Sequence, residues 1–149
     1  MTRALILAYG NPLRGDDGIA WRAAEALQLT LRREPARILC TQQLTPELAE
    51  AAAGAEIVIF LDAAIDGRDG EVSCRAVSAQ STPVRFSHHL TPEQILALSK
   101  QLYSVTPGGF LITAHTRSFD HGSTLSAVAD AMIPSIIEQV CALLQNTTA

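Results

Sequence analysis

The side chains best suited to chemistry in this chain of 149 residues are three aspartates that follow apolar segments. Asp16 and Asp17 stand side by side in the loop after the apolar run 4–9, and Asp62 directly follows the apolar run 57–61. A carboxylate in such a place caps a helix, forms a turn, accepts a proton or binds a divalent cation. Because only one of two adjacent aspartates can cap the same helix, the other is left for chemistry.

Histidines supply a second type of candidate ligand. His88 and His89 lie together in 87-SHHLTPE-93, just before a predicted helix, and His115 follows the apolar run 109–114. A lone loop histidine is usually only solvated, but neutral imidazole is the commonest metal ligand in proteins. Two carboxylates and one imidazole would make a divalent-metal site with open positions for water or a substrate. This pattern by itself is moderately specific and names no reaction.

The order of the predicted elements indicates how these side chains meet. Strands that alternate with helices favour an α/β fold, a three-layer α/β/α sandwich around a mostly parallel five-stranded sheet. The loop 62–70 is too short for a helical crossover, so the strand after it is expected to be antiparallel or at the sheet edge. Periodicity predicts strands at 4–9, 37–40, 56–61, 71–78 and 109–114, and helices at 19 to about 32, 46–53, 91–102 and 123–144.

Ligands bind at the carboxyl ends of the strands in sheets of this kind, which places the site among the loops 10–18, 41–46, 62–67 and 115–122. The phosphate-binding patterns G-x-G-x-x-G and G-x-x-x-x-G-K-[ST] are absent, and paired carboxylates would repel a phosphate. No G-x-S-x-G elbow occurs either, which disfavours a covalent acyl-enzyme.

Composition narrows the class of protein. The formal charge of −4 and the scattered basic residues argue against nucleic acid or an anionic membrane as a partner. No apolar stretch resembles a membrane span or a secretory signal, so we expect a cytoplasmic protein that forms one domain over 1–149. The three cysteines, Cys40, Cys74 and Cys141, stand in apolar runs and are expected to be buried.

A longer pattern follows the first strand, 8-AYGNPLRGDDGIA-20. It resembles the opening motif of the hydrogenase maturation proteases, roughly G-x-G-N-x-L-x-x-D-[DE]-G-x-G, with Ala8 and Ala20 in place of the outer glycines. The resemblance covers nearly the whole chain, since 58-VIFLDAA-64 and 87-SHHLTPEQILAL-98 match the family's later Asp and His elements. The apolar C-terminal helix is also similar.

The resemblance implies a site. Asp17, Asp62 and one histidine would contact the metal, and the two aspartates are also the candidates for catalysis. His88 fits the family pattern H-x-[LIV] better, with His89 as the alternative, and Asp16 would be the helix cap or a residue behind this set. The peptide would be attacked by a metal-polarised water or with Asp17 or Asp62 as general base, and the sequence leaves both open.

The resemblance also implies a function. Members of this family are nickel-dependent endopeptidases that trim the C-terminus of a [NiFe]-hydrogenase large subunit. The protein is therefore expected to be an aspartic-type or metal-assisted peptidase, monomeric when free, whose partner is the large-subunit precursor. The nickel would be supplied by that substrate, and the isolated protein would be metal-free. Two alternatives stay open: a nickel-binding chaperone without enzyme activity, and another small metal-dependent peptidase of the same fold.

Overall fold

Secondary structure follows the predicted alternation of strands and helices. The structure is a computed structural model, and it describes residues 2–79, 90–119 and 122–146. The strands within these residues are β1 Thr2–Tyr9, β2 Ala36–Thr41, β3 Ala55–Ala64, β4 Val72–Val77 and β5 Gly108–His115. The α-helices are α1 Ile19–Thr30, α2 Leu48–Ala53, α3 Pro92–Tyr103 and α4 Ala127–Asn146.

The strands form one five-stranded sheet in the order β2-β1-β3-β5-β4. All neighbouring pairs are parallel except β4 and β5, which are antiparallel. The α/β fold class is therefore confirmed, and β4 is both antiparallel and at the edge. The chain leaves β1 toward β2 on one side and leaves β3 toward β4 on the other. The loops diverge between β1 and β3, and this divergence opens a crevice at their carboxyl ends.

Each face of the sheet is covered by two helices, because alternate strand residues point to opposite faces. On one face, Ile6, Ile59 and Ile112 pack in a cluster that includes buried residues of α1 and α4. On the other face, Leu7, Val58 and Phe60 pack in a cluster that includes buried residues of α2 and α3. The crevice at the end of β1 and β3 thus rests on a packed apolar base.

Helix α4 begins later than the sequence predicted, at residue 127 rather than 123. Ser126 sets this starting point, because its Oγ accepts a hydrogen bond from Ala129 N at 3.1 Å and so caps the first turn. Helix α4 is long and apolar enough to cross a membrane by length and composition alone, contrary to the expectation that the chain has no such stretch. In the structure one stripe of α4 is buried in the core, formed by Ala129, Met132, Ile136, Val140 and Leu144.

The expectation that the cysteines are buried is wrong for all three. Cys40 and Cys74 are exposed, and Cys141 is partly exposed. Cys40 lies on β2 and Cys74 on β4, which are the two edge strands of the sheet. An apolar run on an edge strand is covered less completely than one on a central strand, so the run by itself did not predict burial.

Candidate functional site at the carboxyl ends of β1 and β3

Asp62 lies at the crevice, but inside a strand rather than after one. Strand β3 continues to Ala64, and Asp62 pairs with Thr113 of β5. Its side chain is on the same face as Phe60, which is the face covered by α2 and α3. The strand therefore holds the Asp62 backbone rigidly, whereas a turn residue would be held only by its local hydrogen bonds.

Asp17 approaches the same crevice from the loop after β1. It belongs to a 3₁₀ turn over Gly15–Gly18, and its Oδ2 accepts a hydrogen bond from Asn11 N at 2.8 Å. Gly10 makes the close packing of this loop feasible. Its φ is 144°, and a Cβ there would lie 2.1 Å from the Asp17 carbonyl oxygen. The Gly-Asn pair thus fixes where Asp17 stands.

The environment of Asp62 is that of a proton acceptor. Burial raises its pKa from 3.8 to about 6, although the Ala63 N–H at 2.8 Å and the Tyr9 hydroxyl stabilise the charged form. The negative charge of Asp17 raises this pKa further, so the two carboxylates interact across the crevice. A carboxylate with a pKa near the working pH is suited to general-base catalysis.

Tyr9 is a site residue that sequence reasoning missed. It stands on β1 beside Asp62, since Ala8 pairs with Leu61 in the β1–β3 register. Burial and then the charge of Asp62 raise the pKa of the Tyr9 hydroxyl, so it remains protonated and donates to the carboxylate. The signal available in the sequence was a tyrosine at the end of β1, the strand that lies beside the strand carrying Asp62.

Asp16 does not cap the following helix, so the first of the two roles predicted for it is wrong. Helix α1 has Gly18 at its N-cap position with no side-chain capping bond. The Asp16 side chain is fully buried and accepts three hydrogen bonds from residues more than 90 positions away. Ser126 donates its N–H at 2.7 Å and its Oγ–H at 2.6 Å, and Thr116 donates its Oγ1–H. We call these three residues the Asp16 clasp.

Backbone hydrogen bonds reinforce the clasp. Gly15 N donates to Gly122 O at 2.8 Å, and Gly122 N donates to Leu13 O at 2.8 Å. Asp16 N donates to Ser118 O at 2.9 Å. The loop after β1 is therefore hydrogen-bonded to the loop after β5. The turn that carries Asp17 is held by both loops.

Two histidines of the predicted metal set, His88 and His89, lie outside the described residues, so that part of the site stays a prediction. His115 is described, and both of its ring nitrogens are engaged. Nε2 is 2.8 Å from Ser73 Oγ, and Nδ1 is 2.8 Å from the Asp66 carbonyl oxygen. His115 is therefore not free to bind a metal in this arrangement.

The described part of the chain contains no cluster of three or more side chains that would hold a metal ion alone. Asp17 and Asp62 each use only part of the carboxylate on a backbone N–H. Each therefore keeps oxygen lone pairs for a further partner.

Solved structures of known proteins share this fold. HybD, a hydrogenase maturating endopeptidase from E. coli, superposes with a TM-score of 0.76 at 23% identity, covering 98% of this chain and 94% of that one. The [NiFe] hydrogenase maturation protease HybD from Thermococcus kodakarensis gives 0.74 at 24% identity, covering 95% and 98%. A hydrogenase 2 maturation peptidase from a Thaumarchaeota archaeon gives 0.71 at 26% identity, covering 96% and 98%.

Sequence comparison alone adds nothing to this likeness, since no family model and no curated protein matches the chain. The structural matches extend over nearly the full length of both partners. The chain therefore has the fold of the hydrogenase maturation endopeptidases, as its resemblance to that family implied.

Proposed function

We propose that this protein is an endopeptidase that removes the C-terminal extension of a [NiFe]-hydrogenase large-subunit precursor after nickel insertion. The observation that carries the proposal is Asp62, a partly buried carboxylate with a pKa of about 6 beside Asp17 at the sheet's crevice. The fold shared with maturation endopeptidases supports the choice of substrate.

Asp62 would act as the general base. Its carboxylate takes a proton from the water that attacks the scissile carbonyl, and the proton then passes to the departing amine. Tyr9 orients Asp62 by its hydrogen bond, and Asp17 keeps the local field negative. The raised pKa of Asp62 favours this route over one in which the carboxylate is only a ligand.

The nickel would be part of the substrate rather than a resident cofactor. Asp17 and Asp62 present oxygen atoms to it, with His88 or His89 as the proposed nitrogen ligand. A set of two carboxylates and one imidazole that binds free metal only weakly would distinguish a loaded precursor from an empty one. The protein would then cleave only after the metal centre is complete.

The rim of the crevice offers apolar surface for a protein substrate. Leu13 in the loop after β1 is 63% exposed, and Ile65 in the loop after β3 is 59% exposed. The loop after β2 reaches the same edge, because Gly10 N donates to Thr41 O at 3.1 Å. We therefore assign Leu13 and Ile65, with Gln42 and Gln43 of the loop after β2, to substrate docking.

Mass spectrometry of the intact substrate tests the proposal. A nickel-loaded large-subunit precursor incubated with the protein should lose the mass of its C-terminal extension, and the same precursor without nickel should not. Asp62→Asn should abolish cleavage while the protein stays folded. Asp69→Asn is the matched control, since Asp69 is an exposed carboxylate in the loop after β3.

A nickel chaperone would give a different outcome. It would transfer or bind nickel while the precursor keeps its full mass, and Asp62→Asn would change nickel retention only. A peptidase of the same fold with another substrate would leave the loaded precursor intact and take up no nickel from it.

A further inference from the structure

A serine, a histidine and an aspartate meet in the structure away from the Asp17–Asp62 pair. Ser73 Oγ is 2.8 Å from His115 Nε2. On the other side of the ring, Nδ1 is 2.8 Å from the Asp66 carbonyl oxygen and 3.7 Å from Asp66 Oδ1. A nucleophile, a base and an orienting group follow one another in this order in enzymes that activate a hydroxyl.

The partners of His115 decide where its proton lies. A carbonyl oxygen only accepts hydrogen bonds, so Nδ1 of the neutral ring must carry the proton that it donates to Asp66. Nε2 is then the acceptor, and the Ser73 hydroxyl donates to it. This is the tautomer in which a histidine removes a proton from a serine.

The surrounding loop is built around the imidazole. Gly67 has a φ of 79°, and a Cβ at that position would lie 2.6 Å from His115 Nδ1. Arg117 Nη2 donates to Gly67 O at 2.8 Å and holds this part of the loop. Gly70 N donates to His115 O at 2.7 Å, which fixes the histidine backbone as well.

We propose that Ser73 and His115 form a nucleophilic pair that accepts an acyl group from a small activated ester. The Ser73 proton moves to Nε2 while Oγ bonds to the acyl carbon. The bond from that carbon to the leaving oxygen then breaks, and the leaving group takes the proton from Nε2. Water releases the acyl group in the reverse sense, with His115 again as the base.

The site is distinct from the proposed peptidase centre, yet it shares its face of the sheet. Ser73 pairs with Thr113, and Thr113 pairs with Asp62, which places Ser73 about 10 Å from Asp62 across two strands. Thr113 lies directly opposite Ser73 in the β4–β5 register, so both side chains project from the same face of the sheet. Ser73 is partly exposed, so a small ester can reach it.

Covalent labelling of the full-length protein tests this inference. A fluorophosphonate and p-nitrophenyl acetate are the probes, and peptide mapping locates the adduct. The label should fall on Ser73, distinguished from the exposed thiol of the neighbouring Cys74. His115→Gln should slow labelling by about 10²–10⁴-fold, which is the usual contribution of a general base. Gly67→Ala should also slow labelling, because its Cβ displaces the ring while both reacting residues remain.

Controls separate this site from the rest of the molecule. Ser78→Ala removes an exposed serine that has no imidazole partner among the described residues, and it should label at the wild-type rate. Asp17→Asn should also be labelled at the wild-type rate, because Asp17 is not part of the Ser73–His115 pair. The labelling result therefore does not depend on whether the protein cleaves the precursor. Labelling of Ser73 at equal rates in the wild type and His115→Gln, or an adduct only on other residues, would overturn the pair.

Discussion

Asp16 and Asp62 are two carboxylates near the same edge of the sheet, in opposite environments. Asp16 is fully buried, and three donors from the segment between β5 and α4 satisfy it. Asp62 is only partly buried, yet its donors do not offset the cost of its charge, and its pKa is raised to about 6. Burial alone therefore does not decide whether the charge of a carboxylate is satisfied.

What separates them is the number of donors aimed at each charge. A buried carboxylate with three hydrogen bonds stabilises the fold, because removing it leaves its donors unpaired. A carboxylate that lies near a second negative charge and has few hydrogen-bond donors is unfavourable in its charged form. Binding a substrate or a proton can relieve this free-energy cost. Substitution of Asp62 should therefore lower cleavage, whereas substitution of Asp16 should lower the stability of the fold.

The largest expected effect is on cleavage. Asp62→Asn and Asp17→Asn should each lower kcat/KM for the nickel-loaded precursor by about 10²–10⁴-fold, since they remove the proposed base and its partner charge. Circular dichroism should show the native fold in both variants. Cleavage at the wild-type rate by Asp62→Asn would remove Asp62 from the reaction.

Asp16→Asn should act on stability instead. The amide cannot accept from three donors, so the free energy of unfolding should fall by about 2–4 kcal/mol in a denaturant titration. Thr116→Val, which removes one donor of the clasp, should lower it by a smaller amount. If Asp16→Asn is as stable as the wild type, the clasp does not hold the two loops together.

The pH dependence of stability sharpens the same comparison. The pKa of Asp62 is raised on folding, so its stabilising contribution is present below about pH 4 and lost as the pH rises through about 6. Relative to the wild type, Asp62→Asn should therefore gain about 1–3 kcal/mol of unfolding free energy between about pH 4 and pH 8. Thermal unfolding at both values measures it, and a gain independent of pH would contradict the raised pKa.

The smallest effect concerns the rim. Leu13→Ser and Ile65→Ser should raise KM for the precursor by about 3–10-fold, as expected when an exposed apolar contact of an interface is lost. Stability should change by less than about 0.5 kcal/mol, because both side chains are exposed. Leu29→Ser on α1 is the control, since Leu29 is 75% exposed and lies outside the loops that form the crevice.

Much of the framework could be predicted from the sequence. The apolar runs and the short loop after β3 gave the order of the elements and the antiparallel edge strand β4. The Gly-Asn turn and the aspartate after 57-IVIFL-61 located both sides of the crevice, because parallel strands bring their carboxyl ends to one edge. These are local signals, so they can be read without knowing which loops touch.

The roles that depend on distant contacts were decided only by the tertiary structure. The partners of Asp16 are 100 and 110 residues away, so its sequence neighbourhood predicted a helix cap that does not exist. Ser73 and His115 are 42 residues apart in the chain and meet because β4 and β5 pair antiparallel. Local periodicity determines where strands and helices form, whereas hydrogen-bond partners across loops depend on how those elements pack. This packing gave Asp16 and Asp62 their different environments.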